Sequence, residues 1–260
     1  MGQRRDLVMQ RREQIESLIR LEGEVQVADL ANRFSVSPLT IRRDLDYLES
    51  RGSISRRYGV AIARGESEPL PYEGNIIERA KEAIARRAAS LIEDGEQVFV
   101  NTSTTATGLI RHIESKDMTV ITNSIAATSI APLSPGITLL VTGGEVRMPR
   151  GVLSGEFALN NIRSVNATRC YVGCAGITPT AGATSNTLQE AIVNAQMLEH
   201  STLKVILADS TKLCEQAGFG YARADQFDLL ITDKWASSED LDALRDAGLR
   251  NIIVVDPDNE

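Results

Sequence analysis

The chain has 260 residues, of which 42% are hydrophobic and 24% charged, which is enough for two domains with buried cores. No apolar run approaches the roughly 20 residues of a membrane helix, and the charged first residues contain no apolar signal segment, so we expect a cytoplasmic protein. The net charge of −7 divides into +3 for residues 1–64, which hold 12 arginines and no lysine, and −10 for residues 65–260. This asymmetry predicts a basic N-terminal part joined to an acidic remainder of the chain. The negative total charge is therefore no argument against nucleic-acid binding.

The first two predicted helices each carry one apolar face. Residues 7–21 form the first helix, and the second follows within residues 27–34. Apolar positions recur at helical spacing in both. They are Ile15, Leu18 and Ile19 in the first helix and Val27, Leu30, Ala31 and Phe34 in the second.

A third helix follows a turn at residues 35–38. Ser37 is a good N-cap, because its hydroxyl can accept a hydrogen bond from an unpaired backbone amide, and Pro38 suits the first helical position. We expect the helix to end at Gly52, a natural C-terminal stop. Its predicted buried residues are Ile41, Leu45 and Leu48, and its predicted outward residues are Thr40, Arg42, Arg43, Asp44 and Tyr47.

Residues 53–62 alternate on either side of Gly59, as a small hairpin does. Two helices joined by a tight turn and followed by a basic hairpin predict a winged helix-turn-helix over residues 1–60, with the third helix in the DNA major groove. The alternative is a plain three-helix bundle with a solvated basic face. The predicted DNA-contacting residues are Ser37, Pro38, Leu39, Thr40, Arg42, Arg43, Arg56, Arg57 and Tyr58.

The run from Ser37 to Gly52, S-x-x-T-I-R-R-D-L-x-x-L-E-x-x-G, resembles the signature of the DeoR family of bacterial transcriptional regulators. The resemblance implies a DNA-binding N-terminal half. It also implies a Rossmann-like C-terminal sensor domain, similar to ribose-5-phosphate isomerase and CoA-transferase domains, that senses phosphorylated sugars.

Residues 61–77 are rich in glycine and proline and predict a linker. From Glu78 to the end, helical segments alternate with short apolar strands, which predicts an α/β domain with a parallel sheet over residues 78–260. The predicted strands are 97–101, 118–122, 138–142, 169–175, 204–208, 228–232 and 252–256. The predicted helices are 79–92, 104–113, 186–199 and 237–247.

Small and polar residues follow five of these strands. Ligands collect at the carboxyl ends of parallel strands, and hydroxyls, free amides and a lysine there favour an anion. Capping alone also explains a threonine-rich turn such as 101–105, but not five polar strand ends. The predicted effector-binding residues are Asn101, Thr102, Ser103, Thr104, Thr105, Asn123, Gly143, Gly144, Arg147, Gly173, Gly176, Asp209 and Lys212.

The predicted α/β domain also resembles the DeoR sensor domain, through the motifs ITNS (121–124), TGG (142–144), GCAGI (173–177) and ADSTK (208–212). One departure is that Asn101 stands where the family commonly has an aspartate, in Asp-x-Gly-Thr-Thr. The loss of this carboxylate removes an acceptor for a sugar hydroxyl or a repulsion against an acidic ligand. The last part of the chain is similar to family members that respond to a phosphorylated sugar acid such as ascorbate 6-phosphate.

A competing function is sugar-phosphate isomerisation, with Glu190, Asp209 and Lys212 as candidate acid–base groups. No nucleophile, metal or dinucleotide motif accompanies them, and an enzyme leaves the first 60 residues unexplained. Cys170 and Cys174 lie four apart and far from both histidines, which predicts buried thiols in an apolar strand rather than a zinc site. We therefore expect a transcriptional repressor without cofactor, which binds operator DNA as a homodimer or homotetramer and responds to a phosphorylated sugar or sugar acid.

Overall fold

A computed structural model of the chain describes residues 11, 12, 14, 15, 17–19, 22, 24–34, 36, 37, 40, 41, 44, 45, 48, 54–57, 60–63, 73–114, 117–130, 133–148 and 150–259. For residues 24, 28, 54–57, 60–63 and 73–75 the description is of the backbone alone. The chain divides into two compact units, Met1–Tyr72 and Glu73–Glu260.

The first unit combines helices with a three-stranded antiparallel sheet. Its described residues at positions 11–22 and 40–48 are helical. Between them lie strand β1 (Glu24–Gln26) and helix α1 (Val27–Arg33), and strands β2 (Ile54–Arg57) and β3 (Val60–Ala63) follow. The sheet order is β1-β3-β2, and β2 with β3 is the predicted hairpin. Strand β1, which pairs with β3, was not predicted because three residues carry no periodicity.

The predicted core of this unit is confirmed. Ile15, Ile19, Leu30, Ile41 and Leu45 are fully buried, and Leu18 and Phe34 pack against them half-buried. The Ser37 cap is also confirmed, because the backbone N–H of Thr40 donates to Ser37 Oγ at 3.2 Å.

Asp44 is a correction to the predicted outward face. It is only 2% exposed, and it accepts hydrogen bonds from Arg11 Nε at 2.7 Å and Arg12 Nε at 2.9 Å. A buried carboxylate needs such neutralisation, and two guanidinium groups supply it. Asp44 therefore joins the third helix to the first instead of facing solvent.

The second unit contains helices α2 (Glu73–Ser90), α3 (Thr104–Gly108), α4 (Glu156–Arg163), α5 (Leu188–Glu199) and α6 (Ser238–Asp246). Its strands are β4 (Gln97–Val100), β5 (Met118–Thr122), β6 (Ile137–Val141), β7 (Glu145–Arg147), β8 (Val152–Ser154), β9 (Ala167–Gly173), β10 (Gly176–Thr178), β11 (Gly182–Ser185), β12 (Ser201–Leu207), β13 (Phe219–Ala222), β14 (Leu229–Asp233) and β15 (Ile252–Val255). Short 3-10 turns extend α3 through His112 and occupy Ile125–Ser129, Ser210–Lys212 and Ala224–Gln226.

Seven strands form a parallel sheet in the order β15-β14-β12-β9-β4-β5-β6. They are the seven predicted strands, so the predicted α/β fold with a parallel sheet is confirmed. The prediction omitted α4, the β7–β8 hairpin and the small antiparallel sheet β10-β11-β13. These elements are three to eight residues long, which is too short for a periodic signal.

Helices cover both faces of the sheet, as the apolar runs of its strands require. One apolar cluster joins α2 and α3 to Val98, Val120 and Ile231. The other joins α4, α5 and α6 to Phe99, Ile121 and other strand residues. The carboxyl ends of the strands therefore share one edge, where their terminal polar residues meet.

The segment predicted as a linker, residues 61–77, contains most of β3 at its start and the first turn of α2 at its end. The boundaries 1–60, 61–77 and 78–260 stay predictions. Among the described residues, no helix is both long and apolar enough to cross a membrane.

Candidate functional site

A cavity of about 370 Å³ opens at the carboxyl ends of β4, β9 and β12. Eight of the thirteen predicted effector residues line it: Asn101, Thr102, Ser103, Thr104, Thr105, Gly173, Asp209 and Lys212. The sheet topology explains this agreement, because β9 lies between β4 and β12 and the three strands end together. A second recess of about 380 Å³ shares Lys81, Thr102, Thr104 and Arg150 with the first.

Asn101 lies beneath the cavity and is buried, with all four of its side-chain hydrogen-bonding positions in use. Its Nδ2 donates to Gly173 O at 3.0 Å and to Asn194 Oδ1 at 3.1 Å. Its Oδ1 accepts from Gly173 N at 3.0 Å and from Ser103 N at 3.2 Å. An amide can satisfy both sets of partners, whereas a carboxylate only accepts. Asn101 therefore ties β4 to β9 and α5, and it leaves no hydrogen-bonding position for a ligand.

The network continues into the cavity wall. Asn194 on α5 donates from Nδ2 to Ser185 Oγ at 3.1 Å, and Ser185 lines the cavity at the end of β11. Both residues are buried. Buried polar networks of this kind hold their members in one geometry when every group is satisfied.

Ser103 and Gly173 pack against each other at the cavity floor. A Cβ atom at Gly173 would lie 2.2 Å from Ser103 Oγ and 2.5 Å from Ser103 Cβ, so the position has no room for a side chain. Ser103 Oγ accepts from Ala106 N at 3.0 Å and thereby caps α3. Because Ser103 is the capping residue, capping does not account for the hydroxyls of Thr104 and Thr105.

Three cations and two carboxylates line the cavity. Lys81 Nζ pairs with Glu78 at 2.8 Å, and Arg150 pairs with the buried Glu190 at 2.9 Å. Asp209 is buried and accepts from Thr211 N at 3.1 Å.

Lys212 differs from these groups, because it forms no ion pair with any residue that the structure describes. It lies at the end of the 3-10 turn that Asp209 caps, and this turn holds it in the cavity wall. An unpaired lysine beside three threonines suits an incoming anion.

Cys174, which follows β9, also lines the cavity. Burial, followed by the nearby Asp209 carboxylate, raises the pKa of its thiol to about 12. The thiol is therefore protonated at neutral pH and is a poor nucleophile. Within the described part of the chain, no cluster of three histidine, cysteine or acidic residues is arranged to bind a metal ion.

Five predicted effector residues do not reach the cavity. Asn123 is buried and donates to Leu153 O at 3.3 Å, and Arg147 pairs with Glu145 on an exposed hairpin. Gly144 adopts φ +105°, and a Cβ there would lie 2.4 Å from Ser154 O. Gly143 also has a positive φ, and Gly176 packs against the backbone of Glu215. These positions follow strands, but turn geometry and packing account for them, so we leave all five out of the site.

The sequence interpretation also missed lining residues. Lys81, Arg150, Ser185, Asn186 and Asn194 line the cavity but were not predicted, and Glu190 was considered only as a catalytic group. One signal was available: Glu190 and Asn194 lie four apart on α5, on a face whose other residues are apolar and buried. A polar pair in that position indicates a site. Lys81 and Arg150 gave no such signal.

The predicted DNA-contacting residues are only partly described. Ser37 is exposed and Thr40 half-buried, and their hydroxyl oxygens lie 2.9 Å apart. Arg56 and Arg57 are described by backbone alone, in β2. The others, Pro38, Leu39, Arg42, Arg43 and Tyr58, lie outside the described residues.

Comparison with known families agrees with both halves. The DeoR-like helix-turn-helix domain matches residues 11–66, and the DeoR C terminal sensor domain matches residues 77–234. The resemblance predicted from the sequence is therefore confirmed, as is the DNA-binding function of the first unit.

Similar curated proteins are transcriptional regulators. The lactose phosphotransferase system repressor of Lactococcus lactis subsp. lactis is 30% identical over 89% of this chain and 93% of its own. The regulator UlaR of Shigella sonnei is 30% identical over 87% and 91%, and the repressor GlcR of Bacillus subtilis is 29% identical over 90% and 92%. These relatives support a transcriptional regulator and not an enzyme. The ribose 5-phosphate isomerase of Plasmodium falciparum is 16% identical over 52% of each chain, with a TM-score of 0.36, which is too low to carry an argument.

Proposed function

The chain belongs to the DeoR family of transcriptional regulators, and from this premise we propose that it represses a carbohydrate or sugar-acid utilisation operon in the cytoplasm. A phosphorylated sugar or sugar acid binds the cavity of the second unit and lowers operator affinity. A coupling of about 1–3 kcal/mol per site is enough for such a switch. The names of the relatives, which include a lactose phosphotransferase system repressor, support a carbohydrate operon.

The observation that carries the effector proposal is the unpaired Lys212 in the same cavity as a row of hydroxyl groups. Thr102, Thr104 and Thr105 stand at the end of β4, and Lys212 stands at the end of β12 across the same cavity. Phosphate oxygens take charge-assisted hydrogen bonds from such groups. The cavity volume of about 370 Å³ lies within the range of small-molecule sites, roughly 300–1,000 Å³.

The carboxylates suit the rest of the ligand. Glu190 and Asp209 are acceptors for hydroxyl hydrogens, and Asn186 supplies an amide in the same wall. A ligand with a phosphate at Lys212 and hydroxyls towards these acceptors matches both parts of the cavity. A sugar phosphate has this composition.

On the DNA side, we propose that the nine residues predicted for operator contact bind two half-sites through a homodimer or homotetramer. One helix-turn-helix unit makes few phosphate contacts, and family architectures of this type place paired recognition helices about one helical turn of DNA apart. Phosphate contacts by the arginines supply affinity, and base-edge contacts supply sequence preference.

The test of the effector proposal is a thermal-shift screen of the full chain against monophosphates of aldoses, ketoses and aldonic acids. A ligand at one hundred times its dissociation constant should stabilise the folded protein by about 2.7 kcal/mol. Lys212→Ala, Thr104→Ala and Thr105→Ala should each weaken binding of the best compound about tenfold or more, which corresponds to about 1.4 kcal/mol. Thr105→Glu should weaken it further, because it places a negative charge beside the phosphate.

Lys204→Ala is the matched control, since Lys204 lies on the same strand that leads to Lys212 but not in the cavity wall. It should bind the effector as the wild type does. The alanine variants should melt near the wild-type temperature and still bind operator DNA, whereas Thr105→Glu should also melt lower, because Thr105 is buried. An unchanged effector affinity in Lys212→Ala and both threonine variants would refute this assignment.

A further inference from the structure

Strand β6 forms one edge of the parallel sheet, and its own residues carry none of the side chains that usually protect an edge strand. Its residues Ile137–Val141 include no charge and no proline. Such an edge exposes unpaired backbone donors and acceptors, and proteins ordinarily shield it with charges, prolines or a covering element.

One face of β6 is also left open. Ile137 and Leu139 pack on the cluster beneath α2 and α3. Leu140 faces the opposite way and is 48% exposed, although Ile121, its partner in register on β5, is buried in the cluster that contains Ile162 of α4. Helix α4 thus covers β5 and stops short of Leu140.

The side of α4 next to β6 carries a large exposed aromatic residue. Asn161 Nδ2 donates to Thr142 O at 2.8 Å, which fixes that side of the helix against the end of β6. Phe157 lies four residues earlier, on the same helical face, and is 80% exposed. Phe157 and Leu140 therefore flank the same corner.

The β7–β8 hairpin extends this corner, because Gly144 at its base packs against Ala158 of α4. It presents Val146 and Met148, the latter 77% exposed. We name the apolar edge surface as Leu140, Val146, Met148 and Phe157. Large exposed apolar residues gathered on adjoining elements are typical of an interaction site.

The charges around this surface are neutralised within the chain. Glu145 pairs with Arg147, and Glu156 pairs with Arg163 at 2.9 Å. Residues 65–260 together carry a net charge of −10, so most of the surface of the second unit repels a second copy of that unit. The apolar edge surface is a place where two copies can meet without that repulsion.

We propose that the apolar edge surface is the contact between two copies of the second unit, related by a two-fold axis beside β6. Such an axis brings identical patches together and sets the two β6 strands antiparallel, so that their free edges pair. The proposal rests on the proposed function in one respect, because paired operator half-sites require at least two copies.

The opposite sheet edge supplies a matched control. Val254 on β15 is 46% exposed, close to Leu140 in exposure, and it too lies on an edge strand of the same sheet. Charged groups surround the end of β15, where Lys234 pairs with Asp256 and Asp258.

The experiment is sedimentation velocity of the full chain over a wide range of concentrations, for the wild type and for Leu140→Lys, Phe157→Lys and Val254→Lys. Lysine lowers the net negative charge, so any dissociation reflects the surface and not added general repulsion. The dimer dissociation constant should rise about tenfold or more for Leu140→Lys and Phe157→Lys and stay unchanged for Val254→Lys. If the wild type is a tetramer, the first two variants should fall to dimers.

A wild type that is monomeric at every concentration would overturn the proposal, and so would dimers that survive both variants or dissociate equally with Val254→Lys. Met148→Lys should also raise the dimer dissociation constant. Because the Met148 side chain is mostly exposed, its substitution leaves the core intact, and dissociation of this variant is not a result of misfolding. All variants should keep the far-UV circular dichroism spectrum of the wild type, because the substitutions change the contact between copies and not the fold. No DNA or effector enters these measurements. Dimers that survive the variants would overturn this surface and leave the operator and effector proposals standing, whereas a monomeric wild type would also contradict binding to paired half-sites.

Discussion

Asn101→Asp is the substitution that tests the site most directly, because it replaces one heavy atom in the middle of the buried network. In the wild type, Asn101 Nδ2 donates to Gly173 O and to Asn194 Oδ1. The new carboxylate has no hydrogen to donate, so at neutral pH it places acceptors against both oxygens.

One of the two contacts can adapt. The amide of Asn194 can rotate to present its Nδ2 to the new carboxylate, since its present partner, Ser185 Oγ, can donate as well as accept. Gly173 O cannot move away, because Gly173 N is held by the same side chain. One lost buried hydrogen bond and one buried acceptor facing a charge predict a loss of roughly 2–4 kcal/mol of unfolding free energy.

The assay is thermal unfolding at about pH 7.5 and about pH 5, where the melting temperature should fall by about 5–15 °C at the higher pH. Burial beside Gly173 O raises the pKa of the new carboxyl in the folded chain above its ordinary value, and only the protonated form can donate. A group with a raised folded pKa is most stabilising below its unfolded pKa. The difference in unfolding free energy between Asn101→Asp and the wild type should therefore shrink as the pH falls and grow as the pH rises.

Asn160→Asp is the matched control, because it makes the same chemical change on the exposed surface of α4, beside Arg163. It should leave the melting temperature nearly unchanged. Equal stability of Asn101→Asp and wild type at the higher pH would show that Asn101 does not tie the strands together. Its side chain would then be free to contact the effector, which is contrary to the network described above.

Four further substitutions test other parts of the structure. Arg42→Ala and Arg43→Ala should weaken operator binding without unfolding the protein. Loss of a base contact should relax specificity at that base by about 1–3 kcal/mol, and loss of a phosphate contact should lower the dependence of affinity on salt concentration by about one unit of slope. Asp44→Ala should cost about 3 kcal/mol in thermal unfolding of the first unit, because it removes the buried carboxylate that accepts hydrogen bonds from both Arg11 and Arg12. Gly173→Ala should cost about 1–3 kcal/mol, because its methyl group would overlap Ser103; a variant that melts like the wild type would contradict the packing.

The sequence was sufficient for the sheet because its strands are apolar runs that alternate with helical segments, and for the helix-turn-helix core because its apolar residues recur at helical spacing. Each of the seven strands is a run of four to seven mostly apolar residues, and each is followed by a small or polar turn. The core helices repeat apolar residues at intervals of three and four residues. Local pattern and tertiary burial agree in these elements, which is the condition for prediction from one sequence.

The site was only half predictable, because its residues come from elements that share no local pattern. Residues at strand ends could be inferred from topology alone, and eight of them reach the cavity. Arg150 enters from a turn after β7, and Lys81 enters from a helix face that otherwise looks solvated. The outward position predicted for Asp44 was wrong for the same reason. Its arginine partners lie more than thirty residues away in the chain, and no local rule predicts such a pair.

An asparagine rather than an aspartate at position 101 changes the cavity through its charge and not through a contact. Its amide is fully occupied by Gly173, Asn194 and Ser103, so it offers nothing to a sugar hydroxyl. The charged residues that line the cavity are three cations and two carboxylates, a formal net charge of +1. A carboxylate at position 101 would bring that sum to zero beneath a phosphate. An asparagine there leaves a site that favours an anion more strongly, and the recognition of the rest of the ligand then falls to Glu190, Asp209 and the threonine hydroxyls.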